Sequence, residues 1–357
     1  SFRIFLYNYL KKRGFSDTAE IFRNQAQIPG QIPEFDYAPD EILHDFWILV
    51  QPSPTSVILF DTFQGNFYSL HQTQLLVLGQ TLSSCDFSSS GNFVASGGLG
   101  NKPFICNMKT GNAATTLESH LFAILEVRFQ PGSTIFATSS TDKTVKLWDA
   151  NTPEKALFSF VGDNKVTTMD FSPSGEIICF LTRGELIAWD LNRQVLMNSI
   201  KAGGSLVRFQ PGSGKFLAVV KKNVITIIDW RASRVFSNLQ GHVKNIKSIC
   251  WDITGEMIAS TSEDDVRVWS VFDGGQCIHE YPSDGRRFRS VIFHPRYHSV
   301  LVIGGYQCLE LRILENGGQR YSLHHASEVS ITGLAATTTQ SEFIASCSND
   351  SVVKIWK

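Results

Sequence analysis

Seven times along this chain, at near-constant spacing, a β-branched run closes on the same kind of terminal position. The clearest are Thr144-Val-Lys-Leu-Trp148-Asp149, Val266-Arg-Val-Trp269 and Val352-Val-Lys-Ile-Trp356; degenerate versions end at Cys106, Trp189, Ile228 and Arg312. Successive terminators stand 42, 41, 39, 41, 43 and 44 residues apart. A unit of that length cannot bury its own apolar face, so such units stack on their neighbours. Within the second unit, Leu125–Phe129 alternates, Gln130-Pro-Gly-Ser133 turns, Thr134–Thr138 alternates again, and a turn to Asp142 leads into Val145–Trp148. Three strands closing on Trp, plus a connecting strand, make one four-stranded blade. The fold class is therefore mainly β, a seven-bladed propeller, which argues for a recognition platform and against a catalyst.

Composition sets the remaining bounds. The 32 basic and 33 acidic residues give a net charge of -1, so no bulk charge drives nucleic-acid or membrane binding. No apolar run reaches membrane-spanning length. The seven cysteines contain no C-x-x-C pair, and Cys85, Cys179, Cys250 and Cys347 sit in strand-like segments, which reads as buried free thiols. Neither a metal site nor a cofactor site is expected. The first residue is Ser1, which fits a piece of a longer product.

Three regions follow. Residues 1–27 alternate at i+3 and i+4 around Leu6, Tyr9, Leu10, Ala19 and Phe22, with Gly14 to end one helix and Ser16 to cap the next. Two short helices cannot hide that apolar face, so it is expected to dimerise. Residues 28–61, with Pro29, Pro33 and Pro39, read as a linker holding a short apolar segment at 42–50. Residues 62–357 make the propeller. The chain ends on the third strand of the last blade, so a segment near Asn66–Leu70 is expected to supply its outer strand and close the ring.

The chemistry-bearing residues fall into two groups. His120, Thr138 or Ser140, Asp142 and Trp148 form one buried set; His325, Ser346 or Ser348, Asp350 and Trp356 form another. Two copies on separate blades point to a structural element rather than a catalytic triad. In the fifth repeat His242 and Trp269 remain, but Glu263 stands where the others carry Asp, so a weaker set is expected there. The remaining blades lack His or Trp and are expected to rely on packing. The loops entering the first strands, on the narrow face, offer Phe122, Lys165, Lys244, Arg287 and Phe288 for partner binding. His294 and His298 bracket Pro295 and read as turn residues.

The first segment, Leu6-x-x-Tyr9-Leu10-x-x-x-Gly14-Phe15-x-x-Thr18-Ala19-x-x-Phe22, resembles the LisH dimerisation motif. The buried sets resemble the tetrad of WD repeats. Ala137–Asp149, Arg208-Phe-Gln-Pro211, Ser262-Glu-Asp264 with Val268-Trp269, Phe293-His-Pro295, Leu301–Gly304, Tyr306-Gln307 with Leu309-Glu-Leu311, and Val353–Lys357 together resemble the LEUNIG group of plant transcriptional corepressors. The resemblance implies a nuclear, non-enzymatic corepressor that binds no DNA itself. It implies a homodimer through LisH, a SEUSS-type adaptor on the N-terminal part, and histone deacetylase or Mediator-type components on the propeller. The long glutamine-rich middle of that family is missing here, and the segment after the LisH-like stretch is short. Two other classes compete: a substrate receptor of a cullin-type ubiquitin ligase, for which Ile228-Asp229-Trp230-Arg231 offers the Asp and Arg but not the Trp before them, and a LisH–WD scaffold outside transcription.

Overall fold

Each of the seven repeats folds into a sheet of its own. Six sheets have four strands and one has five. The computed structural model describes residues 56–61, 66–182, 184–314, 320–324, 326–337 and 342–357, together with Lys11, Glu20 and Arg23. The chain divides into Ser1–Gln51 and Pro52–Lys357. Leu6, Tyr9, Leu10, Ala19 and Phe22, the apolar segment 42–50 and His325 lie outside the described residues.

The blades are antiparallel meanders. In blade two the order from the inside outward is Ile124–Phe129, Ile135–Ser140, Thr144–Asp149 and Phe158–Val161. All seven terminal positions identified in the sequence lie on third strands. The second strands are the most apolar because both of their faces are covered. Ile177–Leu181 and Val300–Gly304 are buried at every position. Successive side chains point to opposite faces, so Phe216, Ala218 and Val220 pack against blade five while Leu217 and Val219 pack against blade three. The described core accordingly resolves into seven apolar clusters, one in each gap between neighbouring blades.

The ring closes through the N-terminal side, at a different register from the one expected. The twelve-residue strand Asn66–Val77 pairs with Val352–Trp356 through its second half, Gln72 opposite Trp356 and Val77 opposite Val352. Its first half, Asn66–His71, is occupied by a further strand, Ser56–Asp61. The segment near Asn66–Leu70 therefore does not face the last blade's third strand. Strand structure also begins inside the stretch read as linker, at Ser56.

Blades without a tetrad hold together by several devices. Blade three packs Trp189 against Phe158 and Phe160, ring centroids 6.3 and 5.4 Å away. In blade four Trp230, just past the third strand, donates its indole N–H to the Gly214 carbonyl at 2.9 Å. Blade six departs from packing alone: Glu310, fully buried, accepts from Arg312 at 2.6 Å and from Arg286 at 2.7 Å. A buried carboxylate with two guanidinium partners is tolerated; one left unpaired would cost several kcal/mol.

Candidate functional site

Two hydrogen-bond networks hold loops of the narrow face in place. In blade two, His120 Nδ1 meets Asp142 Oδ2 at 2.9 Å, and Nε2 meets Thr138 Oγ1 at 2.7 Å. Trp148 Nε1 donates to the same hydroxyl at 2.8 Å. These contacts assign the proton to Nδ1, with Thr138 donating to Nε2 and accepting from Trp148. Burial lowers the His120 pKa, which keeps the ring neutral. Burial works to raise the Asp142 pKa, but the Thr144 hydroxyl and the Leu121 amide prevail and hold it down. That carboxylate also sets the loop: Leu121 N donates to Asp142 Oδ2 at 2.8 Å.

Blade five carries a complete network, contrary to the expectation drawn from Glu263. Asp265 takes the position: its Oδ1 meets His242 Nδ1 at 2.6 Å, and Arg267 Nε donates to its Oδ2 at 2.8 Å. Ser260 bridges His242 Nε2 and Trp269 Nε1 at 2.7 and 2.8 Å. Glu263 instead pairs with Lys247 at 3.4 Å. Counting back from Trp misleads here because the carboxylate sits on the first residue of the third strand, Asp265–Ser270, rather than in the turn before it. Counting forward from His works: the hydroxyl lies 18 residues on in both blades. In blade seven Trp356 Nε1 donates to Ser346 Oγ at 2.8 Å, and Asp350 accepts from the Ser327 and Ser348 hydroxyls and from Val352 N.

The five residues expected to form a partner-binding face divide. Phe122, Lys165, Lys244 and Arg287 are exposed. Lys244 is paired with Asp264 at 2.9 Å. Phe288 is 0% exposed and packs with Val268, Val291 and Leu301, so it does not belong to that face. The cause is local: Arg287 has φ 50, which turns the chain so that its own side chain points out and the next points in.

A feature that charge patterning passed over surrounds Phe122. Val77, Leu99, Leu117, Leu121 and Phe122 are between 62% and 79% exposed. Val77 ends the strand Asn66–Val77, and the other four sit on the loops around Leu99 and Leu117–Phe122. Leu99 N donates to the Thr81 carbonyl and His120 N to the Asn101 carbonyl, both at 2.9 Å; Leu78 N donates to the Ser351 carbonyl at 2.8 Å. Three large apolar residues within Leu117–Phe122, a loop flanked by strands, were the signal in the sequence. A contiguous exposed apolar patch on a loop face marks an interaction site.

The ring's centre is a channel of about 460 Å³ lined by inner strands. Side chains on its wall stitch each blade to the next. Asp86 Oδ2 accepts from Phe129 N at 2.7 Å, Glu126 Oε2 from Met169 N at 2.9 Å, and Asp170 Oδ2 from Phe209 N at 2.8 Å. Glu126 is held between Arg128 and Arg208 at 2.8 and 2.6 Å. With Asp86, Glu126 and Asp170 spent on inter-blade bonds, the channel reads as structure. Among the described residues no cluster of three His, Cys, Asp or Glu side chains could hold a metal ion.

Known families fit this geometry. The WD domain, G-beta repeat family matches residues 111–149, 233–270 and 317–357, which cover third strands ending in the three tetrad tryptophans. The Arabidopsis thaliana transcriptional corepressor LEUNIG_HOMOLOG is 41% identical over 76% of this chain and 35% of its own length. The chain is a WD-repeat protein with repeats of the LEUNIG type. More distant WD-repeat relatives include pre-mRNA-processing factor 19 of rice, 24% identical over 66% of the chain and 46% of the relative. The Caenorhabditis elegans mitotic checkpoint protein bub-3 is 22% identical over 65% and 61%. The chain thus spans between about a third and three fifths of the length of these relatives.

Proposed function

We propose that this LEUNIG-type protein is a nuclear, non-catalytic corepressor scaffold whose propeller recruits repressive partners on its narrow face. The observation that carries this reading is the patch formed by Val77, Leu99, Leu117, Leu121 and Phe122. Leaving five such side chains in water forgoes about 1.5–3 kcal/mol each, which a partner can recover. The tetrad of blade two supports it, because Asp142 fixes the backbone that presents Leu121. Partners of the kind implied by the resemblance are histone deacetylase or Mediator-type components on the propeller and a SEUSS-type adaptor on the N-terminal region. Leu6, Tyr9, Leu10, Ala19 and Phe22 would join two copies; sedimentation velocity of the full chain should give a dimer that Leu10→Asp with Phe22→Asp dissociates, and a monomeric parent would rule that out.

The functional test is tethering. Fused to a DNA-binding domain on a plant reporter gene, the chain should repress transcription. Leu121→Asp with Phe122→Asp should relieve that repression at equal nuclear abundance. A parent protein that leaves the reporter unchanged contradicts the corepressor reading.

A further inference from the structure

The joint between blade seven and blade one is built unlike its neighbours. It joins the two ends of the repeat array: Cys85 lies against Ala345, 260 residues further along the chain. In blades one and three the penultimate residue of the first strand is a carboxylate, Asp86 or Asp170, that accepts from an amide of the next blade. In blade seven the corresponding residue of Ile331–Ala336 is Ala335, which offers no such bond. The Thr332 hydroxyl donates to the Leu82 carbonyl at 2.9 Å instead, and an apolar cluster brings Leu82, Cys85, Ala345, Cys347 and Val353 together.

Two sulfurs meet inside that cluster. Cys85 comes from the first strand of blade one, Leu82–Phe87, and Cys347 from the second strand of blade seven, Ile344–Ser348. Cys85 Sγ lies 3.9 Å from the carbonyls of both Gly333 and Ala345. Gly333 is the residue opposite Cys347, and Ala345 stands two places before Cys347 on the same strand, hence on the same face. Gly333 leaves the space between them: a Cβ there would stand 2.8 Å from Cys347 Sγ and 3.5 Å from Cys85 N. All seven cysteines are free thiols. Cys85 and Cys347 are each the first influence on the other's ionisation, and no other cysteine feels a neighbouring thiol. Cys347 and burial push the Cys85 thiol well up, so it stays protonated and reacts slowly at neutral pH. Cys85 also forms part of the channel wall, which gives a molecule as small as hydrogen peroxide a route to the joint.

We propose that Cys85 and Cys347 are a redox latch on ring closure: sustained hydrogen peroxide joins them in a disulfide, and a dithiol reductant reopens it. One sulfur, as its thiolate, attacks a peroxide oxygen. The O–O bond breaks, hydroxide leaves and takes up the thiol's proton as water, and a sulfenic acid remains. The second sulfur attacks the first, the S–O bond breaks, and a second water leaves. Two thiols and one peroxide thus give one disulfide and two waters, with two electrons passing from sulfur to oxygen. Thiol–disulfide exchange reverses the link. The bond closes a loop that runs from the first blade to the last, so it restrains the unfolded chain strongly. It also supplies, at this joint, a cross-blade tie that Ala335 does not make.

The experiment uses the full chain with Cys277→Ser, so that the exposed thiol joins no second chain. The protein is held in excess hydrogen peroxide, remaining thiols are alkylated after denaturation, and peptides are mapped by mass spectrometry without reduction. A peptide pair joining Cys85 to Cys347 is expected, and dithiothreitol should abolish it. In calorimetry the linked protein should melt about 3–8 °C above the reduced one. Amide exchange should slow in the closing strands, residues 72–77 and 352–356. Cys85→Ala should remove the rise in Tm; if that variant does not fold, the peptide map and the melting of the parent decide. Recovery of both cysteines as free thiols, or as sulfinic and sulfonic acids, without the linked pair overturns the proposal. So does a linked pair that leaves Tm and exchange unchanged, for then the bond does not bear on closure, or a rise in Tm that persists in Cys85→Ala.

Discussion

Asp265 and Glu263 stand two residues apart and do different jobs. Asp265 is held by His242, Ser262 and Arg267, and these hydrogen bonds pull its pKa down against the burial that raises it. Glu263 is partly exposed and meets only Lys247. Asp265→Asn should therefore cost about 2 kcal/mol or more of stability, while Glu263→Gln should stay within about 0.5 kcal/mol. Denaturant unfolding of the two variants checks this, and comparable losses would contradict the assignment. Asp170 gives a pH test. Burial on the channel wall pushes its carboxyl up to about 6. A carboxyl raised in the fold binds its proton more tightly there than in the unfolded chain, so its contribution is greatest at low pH and falls as pH rises through that value. Asp170→Asn should raise Tm by more at about pH 7.5 than at about pH 5, and meet the parent only below about pH 4; the same shift at both pH values would refute the account. At this scale the sequence was partly legible. The His and Trp of the tetrads were visible because both are rare and regularly spaced. Asp265 was not, because the carboxylate had moved from the turn onto the strand. The inward rotation of Phe288 was not, because one positive φ decides it.

At the scale of the strand, closure separates what a repeat pattern reveals from what it hides. That a segment before the first repeat pairs with the last Trp strand was legible, since a β-like stretch there belongs to no repeat of its own. The register was not: Asn66–Val77 is long enough to serve two partners, and only the competing strand Ser56–Asp61 decides which half faces Val352–Trp356. Apart from the junction of blade seven with blade one, ring contacts join blades adjacent in sequence, so losing this long-range strand pairing should reduce cooperativity of the whole domain. Removing residues 56–77 should lower Tm far more than removing 1–51, and should broaden the calorimetric transition. An unchanged, sharp transition would mean that blade seven closes by other contacts. The bulges in the outer strands of blades three to five were equally hidden, because one inserted residue per outer strand barely alters a repeat length that already varies.

For the whole molecule, the account rests on a rigid ring that presents loops. Seven apolar clusters between blades, tetrads in blades two and five, and channel-wall bonds from Asp86, Glu126 and Asp170 supply the rigidity. Recognition then belongs to side chains that rigidity leaves in water, first among them Leu121 and Phe122. The fold was readable from spacing alone because each blade repeats the same burial problem. The docking face was only half readable because loop residues follow no period. The most direct measurement is quantitative affinity capture from plant nuclear extract, comparing the parent chain with Leu121→Asp/Phe122→Asp after both are shown to melt at the same temperature. The account predicts that repressive partners held by the parent fall at least about tenfold in the variant. Undiminished capture by an equally stable variant would show that the narrow-face patch is not where this protein meets them.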